Sequence, residues 1–189
     1  MKNKLIFSVA LFAAISLAAC SNDTKEEQVH TAHNSEESTD HSAHSTMNHS
    51  GSGEIPEGLE TAENPTYPIG SEAVMTTDHM EGMSGAVATV VGVFETTVYA
   101  VSYTPVGGGD PVTNHKWVIH EEIEGAGEEA FEPGTEVVLD ADHMEGMEGA
   151  TATIDTAEKT EVYMVDYTST TGEKVTNHKW VTKEELSAE

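Results

Sequence analysis

One histidine and two methionines fall within five residues in Asp78-His79-Met80-Glu81-Gly82-Met83, and a second glycine follows at Gly85. The segment returns as Asp142-His143-Met144-Glu145-Gly146-Met147, followed by Gly149. Imidazole and thioether are borderline and soft ligands for a late transition metal, and the thioether suits Cu(I). Zinc prefers thiolate, imidazole and carboxylate, so a methionine-bearing set selects against it. In an extended strand His79 and Met80 would face opposite sides. Gly82 and Gly85 permit a tight reversal that could gather His79, Met80 and Met83 on one side. Asp78 would then either hydrogen-bond the imidazole from behind or cap the turn. The plain alternative is a glycine turn that carries core methionines and no ion, since methionine commonly fills core gaps.

A second motif also recurs, Asn114-His115-Lys116-Trp117-Val118 and Asn177-His178-Lys179-Trp180-Val181. On a strand His115 shares a face with Trp117. If the fold brings this strand to the glycine turn, His115 adds a fourth ligand and Trp117 shields it, with a cation–π contribution. The candidate ligand sets are therefore His79, Met80, Met83 and His115 in one unit, and His143, Met144, Met147 and His178 in the other. Tyr99, Tyr103, Tyr163 and Tyr167 alternate on strands and read as core, as do Met75 and Met164. His120 has Lys183 as its counterpart and reads as a surface residue.

These residues must be positioned by two similar units. Asp78 and Asp142, Tyr99 and Tyr163, and Tyr103 and Tyr167 each lie 64 residues apart, whereas the Asn-His-Lys-Trp motifs lie 63 apart. The slip of one residue falls in Pro105–Pro111 against Ser169–Lys174, which predicts a hairpin end there. Within the second unit, residues 136–139, 150–154, 161–167 and 174–181 read as strands. Residues 184–186 read as a short helical turn. The acidic stretch from Glu121 to Glu132 reads as the linker between units. The expected fold class is all-β, two tandem small barrels whose strand order resembles an SH3-like barrel.

The 189 residues carry 34 acids against 8 lysines and no arginine, a net charge of −26. That balance argues against a nucleic-acid partner, because phosphate binding needs clustered cations. It draws cations toward the surface instead. Lys2 and Lys4 precede an almost wholly apolar run, Leu5 to Ala19, and Leu17-Ala18-Ala19-Cys20 resembles a bacterial lipobox. Residues 1–20 are thus expected to be a lipoprotein signal peptide, with the mature chain lipidated on Cys20 and anchored to the outer face of the cytoplasmic membrane. Cleavage removes two lysines and no acid, which moves the charge from −26 to −28 and leaves no free thiol, because Cys20 is the one cysteine. No disulfide, cysteine nucleophile or thiolate site can then form, and any soft-metal site must come from methionine and histidine.

Residues 21–66 read as a disordered polar tether. It contains His30, His33, His41, His44 and His49, with Met47 beside the last. Such a tract either captures metal weakly or serves only as a spacer. Residues 67–125 and 126–189 are the expected first and second repeats. There is no G-x-S-x-G and no H-E-x-x-H, and no enzyme activity is expected.

The paired D-H-M-x-G-M-x-G-A and N-H-K-W-V motifs, with the Tyr-rich strand between them, resemble the YdhK-like family of bacterial extracytoplasmic lipoproteins. That family includes copper-binding surface lipoproteins of the CopL type, encoded beside copper exporters. The resemblance implies an SH3-like duplicated domain and a role in copper tolerance. The function expected from the whole is an anchored lipoprotein that binds Cu(I) for sequestration, or hands it to an exporter or another copper protein. No cofactor is required for folding. The competing reading is a surface module that binds a peptide or a cell-wall component without metal.

Overall fold

The computed structural model of the chain describes residues 50–188. Cys20 and the tether histidines His30, His33, His41, His44 and His49 lie outside the described residues. Seven strands form one antiparallel sheet: β1 Glu72–Met75, β2 Val87–Tyr103, β3 Val112–Ile119, β4 Glu136–Val138, β5 Thr151–Thr168, β6 Lys174–Thr182 and β7 Leu186–Ser187. Two 3₁₀ turns, His120–Glu122 and Lys183–Glu185, follow β3 and β6. The expected all-β class holds, as do the hairpin ends, the short helical turn near the C-terminus and the buried tyrosines.

The sheet is built on β2 and β5. They pair antiparallel from Ala88 opposite Tyr167 to Tyr103 opposite Ala152. β-Branched and aromatic residues dominate β2 and both ends of β5, as a pleated, half-buried surface favours. The sequence pattern suggests two strands where β5 is one, because Asp155–Thr160 is polar and its middle is exposed. Its backbone stays in the ladder all the same, with Thr160 opposite Thr96 and Glu158 opposite Val98. Backbone hydrogen bonding needs no apolar side chain, so hydrophobic periodicity does not register it.

This long pairing exchanges halves of the two repeats. One core joins Ala73, Met83 and Val90 of the first repeat to Tyr163, Val175 and Leu186 of the second. Another joins Tyr99, Val118 and Ile123 of the first to Val137, Met147 and Ile154 of the second. The opposite face of β2 and β5 supplies a third cluster, including Phe94, Val98, Val162 and Met164, which also takes Trp117 and Trp180. The two expected barrels therefore share strands, and each core takes its residues from both repeats. Residues 50–66, expected in the tether, lie along the sheet instead. The amide of Gly51 bonds the Thr176 carbonyl at 2.9 Å, Thr61 bridges Phe94, and Leu59 packs on the third cluster. Leu59 and Ala62 provide the apolar contact that the composition of the stretch conceals.

The glycine turns form as expected. The Met83 amide bonds the Met80 carbonyl at 3.2 Å, and the Gly85 amide bonds the Met75 carbonyl at 2.8 Å. The second copy does the same from Met147 to Met144 and from Gly149 to Leu139. Each turn also docks on the hairpin end of the other repeat. Thr170 donates its amide to the Gly82 carbonyl, and Val106 to the Gly146 carbonyl, both at 2.8 Å. Gly146 has φ 75°, and a Cβ there would lie 2.9 Å from the Val106 carbonyl oxygen. Gly149 has φ 74° with open space around it. Gly149→Ala should thus cost only the left-handed backbone, about 1 kcal/mol. Gly146→Ala should cost about 3 kcal/mol, because the hairpin must also move. Urea unfolding of both variants checks this, and equal losses would show that the hairpin does not constrain the turn.

Candidate functional site

The two turns and the two Asn-His-Lys-Trp strands meet at one cavity of about 660 Å³. His79, Met80, His115, His143, Met144 and His178 all line it, together with Asp78 and Asp142. The irregular backbone of β3 and β6 recurs in both. Asn114 and Asn177 have φ 51° and 50°, a region asparagine enters more easily than most residues, and the Lys116–Trp117 and Lys179–Trp180 peptides are cis. Met83 and Met147 do not line the cavity. Both are 0% exposed and belong to the two cores, so these expected ligands are packing residues. The reason lies in the turn itself, which points the first methionine of each motif toward the cavity and the second into the interior. The candidate residues are not separated by repeat, because one cavity takes side chains from both.

Each turn histidine is held by a carboxylate of the other repeat. His79 Nε2 lies 2.7 Å from Glu185 Oε1, and His143 Nε2 lies 2.9 Å from Glu122 Oε1. The other oxygen of each carboxylate accepts an indole N–H, from Trp117 to Glu185 at 2.8 Å and from Trp180 to Glu122 at 2.9 Å. Main-chain amides of Thr182 and Ile119 donate to the same oxygens. The role foreseen for Asp78 behind the imidazole thus falls to a glutamate, and Asp78 stays exposed. Trp117 and Trp180 anchor the carboxylates, while Lys116 Nζ and Lys179 Nζ sit 4.9 and 5.5 Å over their rings.

A carboxylate can only accept, so Nε2 of His79 and His143 carries the proton and the Nδ1 lone pair is bare in the neutral ring. Nδ1 of His79, Nδ1 of His143 and Nε2 of His115 are buried with no hydrogen-bond partner. Unpartnered buried polar atoms are uncommon and call for a cause. Burial, with the rings of His143 and His79 beside it, lowers His115 to about 4, so it is neutral at pH 7. His178 is buried and stands edge-on to Tyr167, with ring centroids 5.8 Å apart. His115 stands likewise to Tyr103 at 6.2 Å. Among the described residues no three His, Cys, Asp or Glu side chains converge to hold an ion by themselves.

Sequence reasoning missed Glu122 and Glu185. Glu122 falls in the acidic stretch whose composition reads as a linker, yet it is 3% exposed. Their spacing of 63 residues, equal to that of the Asn-His-Lys-Trp motifs, is the signal that could have singled them out. His120 is more than a surface residue. Its Nδ1 pairs with the Tyr99 hydroxyl and its Nε2 with the Gly127 carbonyl, both at 2.8 Å.

Burial alone would raise the Glu185 carboxyl. Hydrogen bonds from His79, the Thr182 amide and Trp117, with the charge of His79, outweigh it and hold the group at about 2, below its ordinary 4.5. The folded value is depressed, so this stabilisation is present above pH 4.5 and is lost as pH falls toward 2. Denaturation midpoints measured across that window should decline in the native chain, and Glu185→Gln should remove part of the slope.

The sequence pattern of the family described as "Protein of unknown function (DUF1541)" matches residues 69–120 and again 133–183. The chain is 57% identical to the uncharacterized protein YdhK of Bacillus subtilis strain 168, over 91% of this chain and 82% of that one. A crystal structure of YdhK, a DUF1541 family protein, superposes with a TM-score of 0.74 at 61% identity, covering 77% of this chain and all of that one. The solution structure of the YdhK C-terminal domain gives 0.62 at 63% identity, over 65% of this chain and 93% of that domain. With both repeats matched and a relative 57% identical over 82% of its length, the chain belongs to the DUF1541 family.

Proposed function

We propose that this protein is an extracytoplasmic, membrane-anchored lipoprotein that binds Cu(I) in the shared cavity and lowers free copper at the cell surface. The observation that carries the reading is the set of three buried imidazole nitrogens without partners, all on residues that line one cavity with Met80 and Met144. A buried lone pair without a donor is costly, and a metal ion satisfies it. The carboxylate behind each turn histidine fixes the tautomer and raises ligand basicity, the arrangement found behind metal-bound imidazoles. His115 and His143 have ring centroids 6.3 Å apart, within reach of one ion at about 2 Å from each nitrogen. No trio of His, Cys, Asp and Glu converges among the described residues, so thioethers must complete the coordination, and that favours Cu(I) over zinc. The net charge of −26 concentrates cations near the protein.

Anaerobic titration with Cu(I) against a competing chelator, with Zn(II) as control, tests the reading. The chain should bind Cu(I) tightly. Met80→Leu with Met144→Leu should weaken it, whereas Met83→Leu with Met147→Leu should not. Glu122→Gln or Glu185→Gln should cost about 10–100-fold in affinity. Binding equal to that of a chain lacking His79, His115, His143 and His178 would sink the proposal. For the anchor, Cys20→Ser should move the protein from the membrane fraction to the soluble one, and an unchanged distribution would refute lipidation at that residue.

A further inference from the structure

We infer that the cavity binds two ions, each in a site whose imidazoles come from opposite repeats, an assignment that rests on the metal-binding reading above. The first site joins His115 of the first repeat to His143 and Met144 of the second. The His115 and His143 rings are 6.3 Å apart between centroids and tilted by 41°. Tyr103 links the set, with its ring 6.2 Å from that of His115 and its hydroxyl donating to Met144 Sδ at 3.9 Å. The Nε2 of His115 and the Nδ1 of His143 are both buried and bare.

The second site is the repeat equivalent, His178 with His79 and Met80. Tyr167 takes the place of Tyr103, with its ring 5.8 Å from that of His178. Met80 packs on the core that contains Tyr167, as Met144 packs on the core that contains Tyr103. In both sites the carboxylate that aims the turn histidine also comes from the opposite repeat, Glu185 for His79 and Glu122 for His143.

Two ions fit better than one. A single ion shared by all four histidines would need three or more of them to converge, and no such group exists among the described residues. Each turn histidine instead has its own carboxylate and its own adjacent methionine. The cavity of about 660 Å³ is far larger than one ion requires, given the roughly 30 Å³ that a water occupies. The His115 and His143 rings, from opposite repeats, come within 6.3 Å with a tilt of 41°.

The test is Cu(I) stoichiometry in the full chain, counted above a reference variant in which His79, His115, His143 and His178 are all alanine. The wild type should exceed that reference by two equivalents. His115→Ala, His143→Ala and the double variant should each lose the same single equivalent. His115→Ala combined with His79→Ala should lose both. Met144→Leu, close in volume to the native side chain, should weaken the ion that His115→Ala removes and leave the other in place. A single equivalent above the reference, or loss of one equivalent in the His115/His79 double and of two in the His115/His143 double, would overturn the pairing and leave the proposed function standing. No excess over the reference would overturn both.

Discussion

Two glutamates, Glu122 buried and Glu185 mostly so, hold this structure's histidines and tryptophans in place. The Glu122 side chain is 4% exposed and that of Glu185 is 13% exposed. An ionised carboxylate removed from water is costly unless it is densely hydrogen-bonded. Both take an imidazole on one oxygen and an indole and a main-chain amide on the other, and Glu185 also accepts from the Thr77 hydroxyl. The donors come from both repeats: Glu185 belongs to the second and takes His79 and Trp117 from the first, while Glu122 belongs to the first and takes His143 and Trp180 from the second. Neither carboxylate is satisfied by its own half of the chain, so the fold and the site depend on the same hydrogen bonds.

The exchange of halves follows from strand length. A repeat with short strands could fold back and close its own core. β2 and β5 run for 17 and 18 residues and pair along nearly their whole length, which carries the second half of each repeat across to the other. Each glycine turn then meets the hairpin end of the opposite repeat, through Thr170 with Gly82 and Val106 with Gly146. Sheet pairing, core packing, turn docking and carboxylate pairing thus all cross between repeats, and such agreement across levels specifies one arrangement.

The cavity uses that crossing. Packing places one methionine of each turn in a core and the other at the cavity wall. Hydrogen bonding fixes the proton on one ring nitrogen of each turn histidine and leaves the other buried without a partner. Burial keeps His115 neutral at pH 7. Packing, hydrogen bonding and burial therefore act together on the side chains that line one volume.

The sequence alone determined the β class, the duplication, the glycine turns at Gly82 and Gly146, the hairpin ends and the identity of the four histidines and of Met80 and Met144. Those features are local, since period, turn chemistry and repeat spacing are written in consecutive residues. It could not separate Met80 from Met83, because both are thioethers in one turn and only the packed core decides which faces inward. It could not show β5 as one strand, because backbone pairing through polar Asp155–Thr160 leaves no hydrophobic pattern. Nor could it reveal Glu122 and Glu185, which sit in acidic stretches that look solvated until the tryptophan and histidine donors arrive from the other repeat. Only the tertiary structure decided that His79 is aimed by Glu185, 106 residues away, and that histidines and methionines of both repeats line one cavity, because those contacts depend on a strand crossing with no local signature.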